Sequence, residues 1–501
     1  MTTQPSPQFI SNHFIRDIVS KHHPREKAYN FFYKLIDALY GQEISLDPYQ
    51  PQEIHLALTA DSHAMKVMFV TMEPLSEAFV EYRMEAAGSA DWQRSTAAQY
   101  SYTVQQKWWP IFTGVIYEAD MTRLPLPSTK YRYRVGGYDS ANATVRYSEE
   151  FVFSTAPLST RPDQTVRIAM LADHGTFELL GFQTVNHMVN QSDNFDVIHV
   201  VGDLSYAGLS SAVPALNITS EDEFEHIWDL YGIQNQRLSA VKPFMVTNGN
   251  HERFYNWTAY TNRYKMPSST NGAASDGNFW YSYDYGNVHM VSISSEHDLA
   301  VGSPQLTFLI KDLQQANANR ANVPWIVVNI HKPVYSSVEG APSYRAALES
   351  YLIQYDVDMC FFGHMHAYER ISPVNNFEVS SAPVKLHGDA RGLDAYYSTG
   401  KGPVYVCQGN TGAMQAERWV QPQPEWSAVR MANGLLARNR TSRATAELNS
   451  DSSLGADLYN YQNTYGYGVL TTVNATHLLY ESVPNTEAER FYDRFWIIKR
   501  V

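Results

Sequence analysis

The stretch Cys360-Phe361-Phe362-Gly363-His364-Met365-His366-Ala367-Tyr368-Glu369-Arg370 carries residues whose types and spacing suit metal chemistry. An apolar run, Val357 to Phe362, ends at a glycine, and two histidines follow at i and i+2. In an extended or turning backbone that spacing points both imidazoles toward one edge. Neutral imidazole is the commonest protein ligand for transition metals. Two surface histidines in a loop would have the same spacing, so the rest of the chain must decide.

Other apolar runs end in the same kind of residue. Val166–Leu171 is followed by Asp173-His174-Gly175, and Val197–Val201 by Gly202-Asp203-Leu204-Ser205-Tyr206. Phe244–Val246 leads to Gly249-Asn250-His251-Glu252, and Trp325–Ile330 ends at His331. In α/β sheets, sites form at the carboxyl ends of the strands. Two carboxylates, a phenol, an amide and at least three histidines would then converge. Two cations about 3.5 Å apart need a bridging ligand, which a carboxylate such as Asp203 supplies. A hydroxide between them is a nucleophile near neutral pH. Carboxylate, imidazole and amide oxygen suit iron, zinc and manganese. Glycines before Asp203, Asn250 and His364 are expected to let the backbone turn sharply there. Each piece alone is weak, because an aspartate after a strand is often a turn residue or a helix cap. Five such pieces in order, each at a strand end, carry the argument.

The elements that must position these residues follow from the hydrophobic pattern. From Val166 onward, apolar runs alternate with helical patterns, as in an α/β domain. Ser303 reads as an N-cap and Pro304 as the first helical residue, with Leu306, Leu309, Ile310 and Leu313 at helical spacing. Phe279–Ile293 reads as a hairpin with Tyr285-Gly286-Asn287 at its turn. Residues 49–160 have a different period. Glu53–Leu58, Lys66–Thr71, Phe79–Met84, Thr113–Ala119, Lys130–Val135 and Val145–Ser154 are short strand-like runs, which predicts a small antiparallel sandwich. Residues 1–48 form an N-terminal extension with Tyr29, Phe32, Ile36 and Leu39 at helical spacing, and residues 47–51 read as a linker. Residues 413–460 are polar and irregular and read as an insertion or loop within the 163–501 catalytic domain.

Composition excludes several function classes. The chain has 501 residues, 44% apolar and 18% charged, as in an ordinary globular protein. A net charge of −13 argues against a nucleic-acid partner. No apolar stretch of about 18 residues is present, so no transmembrane segment is expected. Cys360 and Cys407 sit in apolar runs and read as buried, reduced thiols. Six Asn-x-Ser/Thr sites, at Asn142, Asn190, Asn217, Asn256, Asn439 and Asn474, hint at a secreted glycoprotein. Residues 1–30 lack the apolar core of a signal peptide, so the compartment stays open.

The motif series resembles the metallophosphoesterases, and specifically the purple acid phosphatases. The residues that carry the resemblance are Asp173–Gly175, Gly202–Tyr206, Gly249–Glu252, Val328–His331 and Gly363–Arg370, with a late Tyr465-Gly466-Tyr467-Gly468 before the terminal strands. The resemblance implies a four-layer α/β/β/α sandwich preceded by a small all-β, fibronectin-III-like domain. It implies a ferric site of Asp173, Asp203, Tyr206 and His366. It implies a divalent site of Asp203, Asn250, His331 and His364, holding Zn(2+), Mn(2+) or Fe(2+). His251, with Asn250, would contact the phosphate of small phosphate esters, and a homodimer is left open. The family also suggests a secreted, endolysosomal or vacuolar location. The implied activity is acid phosphatase, hydrolysing phosphate monoesters with a metal-bound hydroxide. The alternatives are a phosphodiesterase or nucleotide pyrophosphatase on the same scaffold, or a binding protein with a vestigial metal site. Two departures stand out. Ala172 replaces the usual glycine before Asp173, which should alter packing. The plant-type histidine pair after His331 is absent, with Ser337-Val338-Glu339-Gly340 in its place. Proton donation to the leaving group then falls to His251, or to Glu339 if that carboxyl lies in an apolar setting.

Overall fold

Along Trp325–Ile330 the side chains divide by parity. Ile326, Val328 and Ile330 pack with Leu306, Leu309, Leu313, Leu348 and Leu352, which lie on helices. Val327 faces the other way, into a core shared with Ile168, Met170 and Val200. Met359–Phe362 and Val404–Gln408 repeat the pattern, with Met359, Phe361, Val404 and Val406 on the shared side and Cys360, Phe362, Tyr405 and Cys407 toward the helices. Strands buried on both faces need continuous apolar runs, which these are.

This arrangement is seen in a computed structural model. It describes residues 47–86, 92–104, 114–139, 144–176, 180–208, 225–267, 275–386, 393–398, 400–413, 417–432, 435–437, 465–485 and 492–499. The N-terminal extension expected over 1–48 lies almost wholly outside the described residues, as does the 438–460 part of the expected insertion.

Two eight-stranded mixed sheets form the catalytic domain. The first runs in the order Phe244–Thr247, Val197–Val201, Val166–Leu171, Gly466–Thr472, His477–Pro484, Asp493–Lys499, Asp394–Ser398, Val384–Lys385. The second runs Tyr281–Tyr285, Val288–Ile293, Trp325–Ile330, Met359–Phe362, Val404–Gln408, Tyr368–Ile371, Ser427–Ala432, Leu435–Ala437. Each holds a parallel block, the first three strands of one and the second to fifth of the other. The functional motifs therefore leave their strands at carboxyl ends. Helices Leu180–Asn190 and Glu225–Ser239 add Phe182, Val185, Trp228 and Tyr231 to the first sheet's core. Helix Pro304–Ala318 starts as expected, with Leu306 N–H donating to Ser303 Oγ at 3.2 Å.

The N-terminal domain is antiparallel throughout. Gln52–Leu58, Met65–Thr71, Val115–Met121 and Ala98–Tyr100 form one sheet. Leu75–Met84, Gln93–Thr96, Lys130–Asp139, Val145–Tyr147 and Phe151–Ser154 form the other. The run expected as one strand over Val145–Ser154 is thus two. Arg263, buried in the catalytic domain, reaches Glu53 of the first strand at 3.0 Å and Asp229 at 2.6 Å, and donates to Tyr102 Oη at 2.7 Å. A buried guanidinium that meets carboxylates from both domains ties them together, because neither partner can lose the other without stranding a charge.

Part of the 413–460 expectation is corrected. Ser427–Ala432 is a regular strand paired with Tyr368–Ile371, so this stretch belongs to the second sheet. Its polar residues are used internally: Arg430 Nε donates to Ser337 Oγ at 2.8 Å. Both cysteines are buried and free, as expected. No helix among the described residues is long and apolar enough to cross a membrane.

Candidate metal centre

Four of the strand-end residues stand in the left-handed region. Asp173, Asp203, Tyr206 and His364 have φ of 54°, 50°, 55° and 67°. Such conformations cost about 1–3 kcal/mol each in non-glycine residues and persist only when neighbours fix them. Here two strand-end turns fix each other. The N–H groups of Asp173, His174 and Gly175 donate to the carbonyls of Gly202, Asp203 and Leu204 at 3.1, 3.1 and 2.8 Å. The glycines have two different uses. Gly202 supplies a sharp turn, at φ +80°. Gly249 and Gly363 instead supply space, since a Cβ there would lie 2.3 Å from Asp203 Oδ1 and from Asp173 Oδ2 respectively.

Two groups of donor atoms result. In the first, Asp203, His331 and His364 present ligand atoms within 4.8 Å of one another. His331 Nδ1 donates to the Val201 carbonyl at 3.0 Å, which turns Nε2 toward Asp203 Oδ2, 3.1 Å away. Burial disfavours the His331 charge, but Asp203 prevails and raises it to about 10, so without a cation the two side chains stand as an ion pair. Asn250 Oδ1 is buried and unpartnered. An orphaned buried acceptor costs about 1–3 kcal/mol, and this one sits between Gly249 and His251, which both lie against Asp203 Oδ1, so it fits a cation better than an empty pocket. In the second group the Tyr206 hydroxyl lies 2.9 Å from Asp173 Oδ1 and 2.7 Å from His366 Nε2. Asp173 Oδ2 accepts the His364 N–H at 2.7 Å, and Asp203 Oδ1 accepts the His251 N–H at 2.9 Å.

The electrostatics match a cation site. Burial pushes the Asp203 carboxyl up, but the charges of His331 and His251 outweigh it and hold Asp203 far below the usual range. Burial, then the charges of Asp173 and Asp203, push the Tyr206 phenol well up. His364 is lowered to about 4, first by burial and then by the charge of His331, with Lys332 contributing further. A phenol beside two carboxylates ionises readily only if a strong positive charge joins them.

His251 Nδ1 donates to the Gly208 carbonyl at 2.9 Å, leaving Nε2 3.9 Å from Asp203 Oδ2. Glu339 does not meet the condition set for it. Its side chain is exposed, and its N–H donates to the Arg418 carbonyl at 2.8 Å, so it has no apolar setting. The strand-end logic missed Glu252. Its carboxylate accepts the N–H groups of Asp203, Leu204 and Gly249 at 2.8, 2.8 and 2.7 Å, bracing two strand-end turns. Burial and then the Asp203 charge raise it to about 8. A glutamate three residues after Gly249, at the start of a helical turn, is a capping-box position, and that spacing was the available signal. Glu417 was also missed; its Oε1 accepts the His366 N–H at 3.0 Å.

The chain is similar to known proteins over both of its domains. Residues 51–155 match the model for the N-terminal domain of purple acid phosphatase, and residues 166–368 match that for calcineurin-like phosphoesterases. Purple acid phosphatase 22 of Arabidopsis thaliana is 34% identical over 337 residues, covering 65% of this chain and 68% of the relative. A purple acid phosphatase of Glycine max is 28% identical over 403 residues, covering 76% of this chain and 78% of the relative. In fold, the chain is similar to a purple acid phosphatase from yellow lupin seeds, with a TM-score of 0.70 at 20% identity, covering 91% of this chain and 75% of that one.

Proposed function

The chain belongs to the purple acid phosphatase family, and from that premise we propose that Asp173, Asp203, Tyr206 and His366 hold a ferric ion while Asp203, Asn250, His331 and His364 hold a divalent one. The protein is a metal-dependent phosphatase that hydrolyses phosphate monoesters, with a dinuclear centre. The observations that support the residue assignment are the Asp203–His331–His364 group and the buried, unpartnered Asn250 Oδ1, whose neighbours Gly249 and His251 lie against Asp203 Oδ1. Phenolate from Tyr206 suits a trivalent ion, and the carboxylate, amide and imidazole set suits Zn(2+), Mn(2+) or Fe(2+).

When bound, the cations supply the positive charge that phosphoryl oxygens need in the transition state and lower the pKa of water. The chain's own residues do the rest. Asp203 offers one carboxylate oxygen toward His331 and has the other held by the His251 N–H. The Gly208 carbonyl holds the Nδ1–H of His251, so Nε2 bears a proton only in the imidazolium; that form would bind the phosphate and give the Nε2 proton to a poor leaving alcohol, the ring returning to neutral. Glu252 keeps the turns that present Asp203 and Asn250 in register.

The test is phosphate release from nitrophenyl phosphate by the purified, metal-loaded chain, with and without a chelator. Chelator-sensitive release is expected; no release from metal-loaded protein would overturn the reading.

A further inference from the structure

One ion pair lies next to the Asp203–His331–His364 group, near enough for the Lys332 charge to act on His364. Lys332 directly follows His331, and its Nζ lies 2.7 Å from Glu296 Oε1. Glu296 sits in a segment tethered to the same half of the site. Asn248, two residues before Asn250, donates from Nδ2 to Ser294 Oγ at 2.8 Å, and that hydroxyl also accepts the Glu296 N–H at 3.1 Å. Ser295 Oγ donates to Glu296 Oε1 at 2.9 Å. The lysine and its counter-ion are therefore held by the two segments that carry His331 and Asn250.

Depth separates this pair from the donor set. The side chains of His331 and Asp203 are 0% and 2% exposed, whereas that of Lys332 is 20% exposed. A phosphoryl group held at the buried floor directs its ester oxygen and alcohol outward, toward the rim. An ammonium has three N–H donors, and one carboxylate oxygen does not use them all. A lysine next to a cation-binding site is repelled by the cations it adjoins, so its position is favourable only when anions surround it. Glu296 is one such anion; the substrate can bring another.

We propose that Lys332, oriented by Glu296, forms a subsite for a second anionic group on the leaving-group side of the substrate. The enzyme then favours phosphate monoesters whose alcohol carries a carboxylate or a further phosphate over those whose alcohol is neutral. This rests on the phosphatase reading above.

Three alkyl esters of similar size test it on the purified, metal-loaded chain: ethyl phosphate, phosphoglycolate and ethylene glycol bisphosphate. Wild type should prefer the two anionic esters. In Lys332→Met, kcat/KM for at least one of them, relative to ethyl phosphate, should fall by about tenfold or more, as expected for a lost charge-assisted hydrogen bond. The fall should appear mainly in KM. Lys332→Arg should keep most of the preference, and both variants should keep wild-type metal content by elemental analysis. The ester that loses more identifies the anion the subsite takes. An unchanged ratio, or an equal loss on all three esters, overturns the proposal. Failure of wild type to release phosphate from nitrophenyl phosphate overturns instead the reading on which it rests.

Discussion

The Tyr206 hydroxyl lies 2.7 Å from His366 Nε2, although 160 residues separate them in the chain. The contact joins the end of the Val197–Val201 strand to the loop after Met359–Phe362, so the two sheets meet there. Burial and the charges of Asp173 and Asp203 keep the phenol protonated in the metal-free protein. A trivalent cation reverses that balance, and an iron-bound phenolate absorbs visible light. Tyr206→Phe should therefore lose the broad visible band of the iron-loaded protein. It should keep its fold, because the ring still packs on His251 at 4.4 Å between centroids. Absorption spectra of both proteins at matched iron content decide this. An iron-loaded wild type without the band would remove Tyr206 from the ligand set.

Asp203 offers its two oxygens to different partners, Oδ2 toward His331 and Oδ1 to the His251 N–H. Asp203→Asn replaces the carboxylate that the two proposed cations would share by a weak, neutral amide. Removing even an outer-shell partner costs about 10–100-fold in metal affinity, so losing the bridge should lower metal content and turnover by about a hundredfold or more. Elemental analysis and nitrophenyl phosphate hydrolysis measure both. Near-normal values for either would contradict a shared carboxylate. Glu296 lies outside the strand-end motifs but pairs with Lys332, so Glu296→Gln is not a neutral control.

The parts of the fold legible in the sequence are those dictated by burial on both faces. Val166–Leu171, Val197–Val201 and Trp325–Ile330 are runs with a single polar residue each, Arg167, His199 and Asn329, and emerge as strands with those bounds. The pairing of Gly466–Thr472 with Val166–Leu171 was not legible, because nothing in local composition selects a partner 300 residues away. Tyr368–Ile371 read as the tail of a histidine motif, yet it is a strand between Val404–Gln408 and Ser427–Ala432. At the site, ligand-type residues announce themselves by chemistry, whereas Glu252 and Lys332 act through neighbours that only the folded chain supplies.

Far from the strand-end motifs, at the start of Val288–Ile293, His289 lies between Asp284 at 2.7 Å and Asp312 at 2.9 Å. Burial disfavours its charge, but Asp312 and Asp284 prevail and raise it from 6.5 to about 10. A folded pKa above the unfolded one stabilises the fold fully below about pH 6.5, and that stability is lost as pH rises toward 10. Thermal melts of wild type and His289→Gln should therefore differ most near pH 6 and converge toward pH 10. A gap that stays constant across that window would show that the charge contributes nothing.

The absence of the histidine pair makes the leaving-group proton the sharpest question in the mechanism. Nitrophenolate leaves without protonation, while an alkoxide does not. Glu339 is exposed, so the proposal assigns the donor role to His251. Its Nδ1–H is committed to the Gly208 carbonyl at 2.9 Å, so the group free to face the ester is Nε2. His251→Ala should then slow ethyl phosphate hydrolysis by about one to two powers of ten more than nitrophenyl phosphate hydrolysis. Glu339→Gln should leave the ratio between the two esters where it is. Equal losses on both esters in His251→Ala would reduce this residue to phosphate binding, with water as the donor. A selective loss in Glu339→Gln would return the role to that carboxyl and require the 336–340 loop to fold inward when substrate binds.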